Sequence, residues 1–255
     1  MRSRLMLGLP VALCFSATAA FADDVASCDR FVILEQYDLA LKPCTTAAEQ
    51  GRASAQFYLS LMYEKGMGVA QNYTEAVRWY RAAAEQGSAS AQNNLGLLYE
   101  KGLGAAQNYT EAVRWYRAAA EQGLAEAQVN LGLLYEKGLG VAQDYTEAVR
   151  WFRAAAEQGN AEAQVNFGVM YEKGMGVAQN YTEAVRWFRA AAEQGLAEAQ
   201  RNLGFMFKEG LGVAQSFREA VRLYRAAAAQ GNAGAKVRYA QKLVTAVIRR
   251  RFEVA

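Results

Sequence analysis

The chain has 255 residues, of which 53% are hydrophobic and only two are prolines, and this composition excludes an extensively disordered protein. Its formal net charge is +3. From Gly231 onward there are six basic residues and one acidic residue, whereas residues 23–230 have a net negative charge. This distribution does not fit a globally basic nucleic-acid-binding protein.

Residues 1–22 have the pattern of a secretory signal peptide. Arg2 and Arg4 precede the apolar run LMLGLPVALCF, which is too short to span a bilayer. Ala20 and Ala22 then form an A-x-A-like cleavage site. We therefore expect an exported protein, in the periplasm or secreted, with no transmembrane segment in the mature chain.

Export determines how the cysteines are interpreted. Without residues 1–22, two cysteines are left, Cys28 and Cys44. In an oxidising compartment we expect them to form a disulfide, which would close a loop of about 15 residues and contribute about 3 kcal/mol. A pair of free buried thiols is the alternative. No metal site is expected, because two cysteines and no histidine cannot supply the usual zinc ligands.

A 36-residue sequence recurs five times between residues 51 and 230. In the second unit, Ala91, Leu95 and Leu98 fall on one face of a helix. Gly96 lies inside the same helix, where glycine costs about 1 kcal/mol relative to alanine. We interpret this glycine as a place where a neighbouring helix approaches too closely for a side chain.

A glycine-rich loop, KGLGAAQ, separates this first helix from a second one. Asn108 is expected to cap the second helix, and Glu111 to complete a capping box. This helix should run from Tyr109 to about Glu121 and end at Gly123. Each unit is therefore predicted to be a pair of antiparallel helices.

Neither helix can bury its apolar face within one pair, so the pairs are expected to stack. The predicted fold is all-α, a right-handed α-solenoid of stacked antiparallel helix pairs. Tryptophans recur at the period of the repeat and are expected to lie between neighbouring units, and Leu223 takes the fifth position. These tryptophans are Trp79, Trp115, Trp151 and Trp187.

Both ends of the array depart from the repeat. Residues 23–50 are predicted to be an N-terminal capping half-repeat, with one helix near Val25–Leu41 and a short second helix from Pro43, because proline is poorly tolerated inside a helix. The predicted disulfide would join the two. Residues 231–255 lack the glycine loop and are predicted to form a C-terminal capping helix with a basic tail.

The repeat motif A-x-A-x-x-x-L-G-x-x-Y-x-x-G-x-G-V-x-x-[ND]-Y-x-x-A-x-x-W-[YF]-x-x-A-A-x-x-G resembles the Sel-one-like repeat (SLR) family, over roughly residues 44–243. In the third unit it is carried by Ala125, Ala127, Leu131, Gly132, Tyr135, Gly138, Gly140, Val141, Asp144, Ala148, Trp151, Phe152, Ala155, Ala156 and Gly159. The resemblance implies an architecture like that of tetratricopeptide repeats and a protein-binding adaptor or scaffold. Some cysteine-rich secreted members are associated with β-lactamase or penicillin-binding activity, but those carry a disulfide in nearly every repeat.

The first helices are predicted to carry the binding surface. In a solenoid of this type they line the concave side, where one column of residues varies between units, the next stays apolar and a third is asparagine. Asparagine amides can hold the backbone of an extended peptide. Two alternatives are that these amides bond to a neighbouring repeat and that the apolar column is buried. The candidate residues are Asn93, Asn94, Leu97, Val129, Asn130, Leu133, Val165, Asn166, Arg201 and Asn202.

No catalytic residue, cofactor or metal is expected. The absence of histidine removes Ser-His-Asp and Cys-His nucleophiles, and the carboxylates recur at the repeat period without a distinct pair. We expect a monomer that is not an enzyme and that binds another protein or peptide. The alternatives are an enzyme acting on cell-wall or β-lactam substrates, and docking to an anionic envelope surface through Arg249–Arg251.

Overall fold

The computed structural model describes residues 14–234, with side chains from Asp24 onward. Within this range the secondary structure is helical, without strands, as the sequence predicts. The helices are α1 (Cys14–Ile33), α2 (Tyr37–Glu49), α3 (Ala53–Lys65), α4 (Tyr73–Glu85), α5 (Ala89–Lys101), α6 (Tyr109–Glu121), α7 (Ala125–Lys137), α8 (Tyr145–Glu157), α9 (Ala161–Lys173), α10 (Tyr181–Glu193), α11 (Ala197–Glu209) and α12 (Phe217–Ala229). The first helices of the five units are α3, α5, α7, α9 and α11, and each is followed by its second helix.

The second helices begin at the predicted cap. In α6 the backbone N–H of Glu111 donates to Asn108 Oδ1 over 3.1 Å. The reciprocal half of the capping box is not formed, so that prediction is wrong. The N–H of Asn108 donates instead to the carbonyl of Tyr99 (2.9 Å), and the Glu111 carboxylate pairs with Arg114 (3.3 Å). The end of the first helix thus supplies the partner that the capping box would have supplied.

The second helices end at the predicted glycine. Gly123 has a φ of +90°, which glycine adopts without steric cost. Its N–H donates to Ala120 O, and the N–H of Leu124 donates to Ala119 O, which is the Schellman arrangement of a helix end. The side chain of Gln128, from the next repeat, also donates to Ala120 O over 3.1 Å. Each repeat therefore helps to satisfy the helix end before it.

The chain divides into two compact units, residues 1–115 and 116–255, with the boundary inside α6. The N-terminal unit has a core in which Leu59 and Trp79 lie with alanines of α2. The C-terminal unit has one core cluster around Phe152 and Phe167 and another around Phe188 and Leu203. In both units the buried residues come from successive helix pairs, as expected for stacked repeats.

The glycine inside the first helices α7 and α9 allows a close contact of the kind predicted for Gly96, while α3 has Ser60 at this position. In the C-terminal unit, a Cβ added at Gly132 would lie 2.6 Å from the Phe152 ring, and one added at Gly168 would lie 2.6 Å from the Phe188 ring. Both distances are too short for a real Cβ. Trp187 contacts Phe167 of its own repeat (centroids 5.2 Å apart) and packs against a core cluster that also contains residues of the preceding repeat, such as Phe152.

The N-terminal helix pair confirms the predicted disulfide between Cys28 and Cys44, which joins α1 to α2. The predicted break at Pro43 is wrong, because the chain turns at residues 34–36 and Pro43 lies inside α2. Proline removes one helical hydrogen bond, to the carbonyl four residues earlier. That residue is Leu39, which is 58% exposed, so the bond is lost on the solvated side of the helix.

Two predicted end segments lie outside the described residues. They are most of the signal peptide, residues 1–13, and the C-terminal capping helix with its basic tail from residue 235 onward. None of the helices that the structure describes is long and apolar enough to cross a membrane.

Candidate functional site

The first helices α9 and α11 enclose an open cleft of about 410 Å³ in the C-terminal unit. It combines partly exposed apolar side chains, two asparagine amides and charged residues of both signs. Six of its residues belong to the predicted binding columns, and four of these six are among the candidate residues. The lining residues are Val165, Asn166, Val169, Glu172, Lys173, Glu198, Arg201, Asn202 and Phe205.

The apolar surface of this cleft comes from one column and not from its neighbour. Val169 and Phe205, which share a column with Leu97 and Leu133, are partly exposed. Val165, by contrast, is 3% exposed and belongs to a hydrophobic core cluster.

The expectation that the variable column lies open at Val129 and Val165 is therefore wrong. Val129 is 2% exposed and packs in the same cluster as Phe152 and Phe167, so both valines stabilise the stack and offer almost no surface to a ligand. The other members of that column, Asn93 and Arg201, are partly exposed.

In the N-terminal unit the asparagine column is held by internal hydrogen bonds. Asn94 Nδ2 donates to the hydroxyl of Tyr80 (3.1 Å), and that hydroxyl donates to Glu64 Oε2 (2.6 Å). Burial, and then the hydrogen bond to Glu64, raises the pKa of Tyr80 far above its ordinary value. For Asn94 the alternative of bonding to a neighbouring repeat is thus correct, although the partner is a side chain and not the backbone.

The third and fourth repeats lack the hydroxyl at the corresponding position. The residue that corresponds to Tyr80 is Phe152 for Asn166 and Phe188 for Asn202. Asn166 Nδ2 is buried and has no hydrogen-bond partner among the described residues, and the partly exposed side chain of Asn202 makes no hydrogen bond within the same range. Asn130, between these two cases, is not free.

The sequence signal for this difference is the [YF] position of the repeat motif. It reads Tyr at 80 and 116 and Phe at 152 and 188, so the two Asn amides that lose a partner are both in the cleft between α9 and α11.

The rim of the cleft is charged, and its ion pair is exposed and therefore weak. Arg201 pairs with Glu198 over 3.2 Å, and their side chains are 29% and 57% exposed. Exposed pairs of this kind contribute about 0–1 kcal/mol, so either partner can turn to a ligand at little cost. Lys173, at the end of α9, is exposed and makes no described ion pair.

Sequence reasoning missed a second polar column, which joins the first helix of a repeat to the end of its second helix. Gln158 Nε2 donates to Gln128 Oε1 (2.8 Å), and Gln194 Nε2 donates to Gln164 Oε1 (2.9 Å). The recurring glutamines in the motif were the available signal. Gln128 also donates to Ala120 O of the preceding repeat (3.1 Å), so this column connects helices within a repeat and between repeats.

The described part of the chain has no group of side chains that could hold a metal ion in the cleft. In the range from residue 24 to residue 234, no three histidine, cysteine or acidic side chains are grouped so that they could hold a metal ion. What the cleft offers chemically is hydrogen-bonding amides beside an apolar wall.

Antiparallel helix pairs that repeat every 36 residues define a helical-repeat protein of the α-solenoid class. The family model of the Sel1 repeat matches residues 53–88, 89–124, 125–160, 161–196 and 197–232. The chain therefore belongs to the Sel1 repeat family, as its motif indicates.

Two solved structures give the scale of the similarity. A Sel1 repeat protein from Oxalobacter formigenes is 38% identical with a TM-score of 0.79, over 84% of this chain and 85% of that one. The c5321 protein of uropathogenic Escherichia coli strains, described as a protective antigen with an SLR fold, is 38% identical with a TM-score of 0.78. The match covers 83% of this chain but 45% of c5321. A comparison with curated proteins finds no match.

Proposed function

We propose that the chain is an exported scaffold without enzymatic activity that holds an extended segment of another protein in the cleft between α9 and α11. The observation that carries this proposal is the pair of amides without internal partners, Asn166 and Asn202, beside a partly exposed apolar wall. A buried amide without a partner costs about 1–3 kcal/mol, and a ligand that supplies the bond recovers part of that cost.

The cleft suits a peptide backbone better than a compact small molecule. No hydrogen bond fixes the Asn166 amide, so rotation about its terminal torsion can turn the N–H toward the cleft. Amides that stand on two successive first helices can then bond to carbonyls and N–H groups of one extended chain. Val169 and Phe205 would contact an apolar side chain of that segment.

Export is supported by the N-terminal half of the chain. The disulfide between Cys28 and Cys44 forms and persists in oxidising compartments, such as the periplasm or the extracellular space. The signal-peptide pattern of residues 1–22 agrees with it. The proposed partner is therefore an envelope or extracellular protein.

The test is peptide selection followed by a matched pair of variants. A library of linear random peptides is displayed and selected on the immobilised full chain, and an enriched peptide is measured by fluorescence anisotropy. We expect Asn166→Ala to weaken binding by about fivefold, which is the loss of one hydrogen bond. The control is Glu162→Gln, an exposed residue of the same helix that does not line the cleft.

The thermal unfolding of Asn166→Ala separates binding from folding. Because this amide makes no described internal hydrogen bond, its removal should leave the melting temperature unchanged or raise it. Selected peptides that bind both variants and the wild type with equal affinity would show that the cleft is not the binding site.

A further inference from the structure

The last repeat contains a second pocket, of about 400 Å³, between α10, α11 and α12. It is separate from the cleft of the proposed function. Its volume is in the usual range of ligand pockets, roughly 300–1,000 Å³. Apolar side chains, chiefly Leu203, Phe207 and Leu223, line it, and Arg189 and Arg222 lie at its rim.

The same ten positions two repeats earlier have a nearly identical lining. Eight of the ten carry the same residue, and the two exceptions are Trp151 in place of Leu223 and Tyr135 in place of Phe207. The pocket of the last repeat therefore lies where an indole is seated in the third unit. Trp151 is 7% exposed, so the indole is almost fully buried in its repeat.

An arginine covers the tryptophan in four repeats. The guanidinium carbon lies over the ring centroid at 4.6 Å for Arg78 on Trp79, 4.7 Å for Arg114 on Trp115, 4.8 Å for Arg150 on Trp151 and 5.0 Å for Arg186 on Trp187. These are cation–π distances. Each of these arginines is oriented by a glutamate three residues before it, for example Glu147 for Arg150 (3.3 Å).

In the last repeat the arginine is in place but the ring is not. Arg222 is also paired with the glutamate three residues before it, although it donates to Glu219 Oε2 through Nε (2.8 Å) where the other four arginines donate through Nη1, and the next residue is Leu223. A second arginine has also lost its partner. Arg117 donates to the Tyr135 hydroxyl (2.6 Å), but the corresponding Arg189 faces Phe207 and makes no described hydrogen bond.

We infer that this pocket binds an aromatic side chain of indole size from a partner protein, seated against Leu223 beneath Arg222. In the other four repeats an arginine at the position of Arg222 lies over a tryptophan of the same chain. The last repeat lacks this indole, and it also lacks the tyrosine hydroxyl that would accept a hydrogen bond from Arg189. Arg189 then donates to a backbone carbonyl of the segment that carries the aromatic side chain. The proposal is independent of the cleft between α9 and α11.

The test is fluorine NMR with N-acetyl-5-fluorotryptophan amide titrated against the full chain, whose own tryptophans carry no fluorine. We expect a saturable shift in the wild type. Leu223→Trp fills the pocket from within, so the shift is lost and the melting temperature rises. Arg222→Ala weakens binding by roughly fivefold, because it removes the stacked cation.

The matched control adds the same side chain on the same helix outside the pocket. Phe217 begins α12, is 50% exposed and does not line the pocket, so Phe217→Trp should bind the probe as the wild type does. No saturable shift in the wild type at millimolar probe, or an equal shift in Leu223→Trp, overturns the inference. Equal affinity in Arg222→Ala overturns the stacking that it rests on.

Discussion

At the scale of single residues, one hydroxyl group divides the asparagine column into two kinds of position. Where the repeat has Tyr80, the amide of Asn94 is bonded and the tyrosine hydroxyl is shared with Glu64. Where it has Phe152, the amide of Asn166 has no described partner. The ring is buried in both cases, so packing is kept and only the polar bond is lost.

Restoring that hydroxyl should stabilise the fold and weaken ligand binding. Phe152→Tyr places a hydroxyl between Asn166 and Glu136, which corresponds to Glu64. We expect the free energy of unfolding to rise by about 1 kcal/mol, because a buried donor gains a partner. Urea unfolding measures this, and anisotropy with the selected peptide should show weaker binding. A destabilised variant that binds more tightly would contradict the account.

The hydroxyl of Tyr80 also makes stability depend on pH. Burial and the bond to Glu64 raise its pKa in the folded state, so the folded protein keeps this proton at a pH at which the unfolded chain, with an ordinary tyrosine pKa near 10, loses it. The stabilisation is therefore full below about pH 10 and is lost as the pH rises above that value. Urea unfolding between pH 8 and about 11 should show a smaller alkaline loss in Tyr80→Phe than in the wild type. Parallel losses in the two proteins would contradict this assignment.

At the scale of elements, sequence reasoning located the helices well where local signals suffice. The second helix was predicted from Tyr109 to about Glu121, with its cap at Asn108, and α6 has these bounds. Prediction from the sequence failed where a residue from another helix competes for the same hydrogen bond or contact. The N–H of Asn108 bonds to Tyr99 rather than to Glu111, and the helix pair of the N-terminal cap turns before Pro43 and not at it.

The glycine inside the first helices of the second to fifth repeats gives a prediction in which two effects oppose each other. Glycine to alanine in an exposed helix interior stabilises by about 1 kcal/mol through propensity. At Gly132, however, the added Cβ would lie 2.6 Å from the Phe152 ring, which is fully buried and cannot move aside. We expect Gly132→Ala to destabilise by about 1–3 kcal/mol.

Chemical unfolding measures this change, and Glu126→Ala, at an exposed position of the same helix, serves as the control. A stabilised Gly132→Ala would show that propensity outweighs packing at this contact.

At the scale of the whole molecule, the period of the sequence was enough to predict the fold class and the family. A repeat that cannot bury its own apolar face must stack, and its motif is that of the Sel1 repeat. The site was predicted only in part. Periodicity located the columns of Asn166 and Arg201 but not the burial of Val129 and Val165, because burial depends on how neighbouring helices cross.

The pocket at Leu223 is a second feature that the sequence alone does not predict. The sequence shows that Leu223 takes the fifth tryptophan position, but only the three-dimensional lining shows a pocket there, with Arg222 among its residues.

The most direct test of the central claim is photo-crosslinking of a selected peptide that carries a benzophenone group, with the labelled residues of the full chain identified by mass spectrometry. The account predicts labels on the first helices α9 and α11, around Asn166, Val169 and Phe205, and predicts that unlabelled peptide competes with them. Labels confined to the second helices α8 and α10 would contradict it.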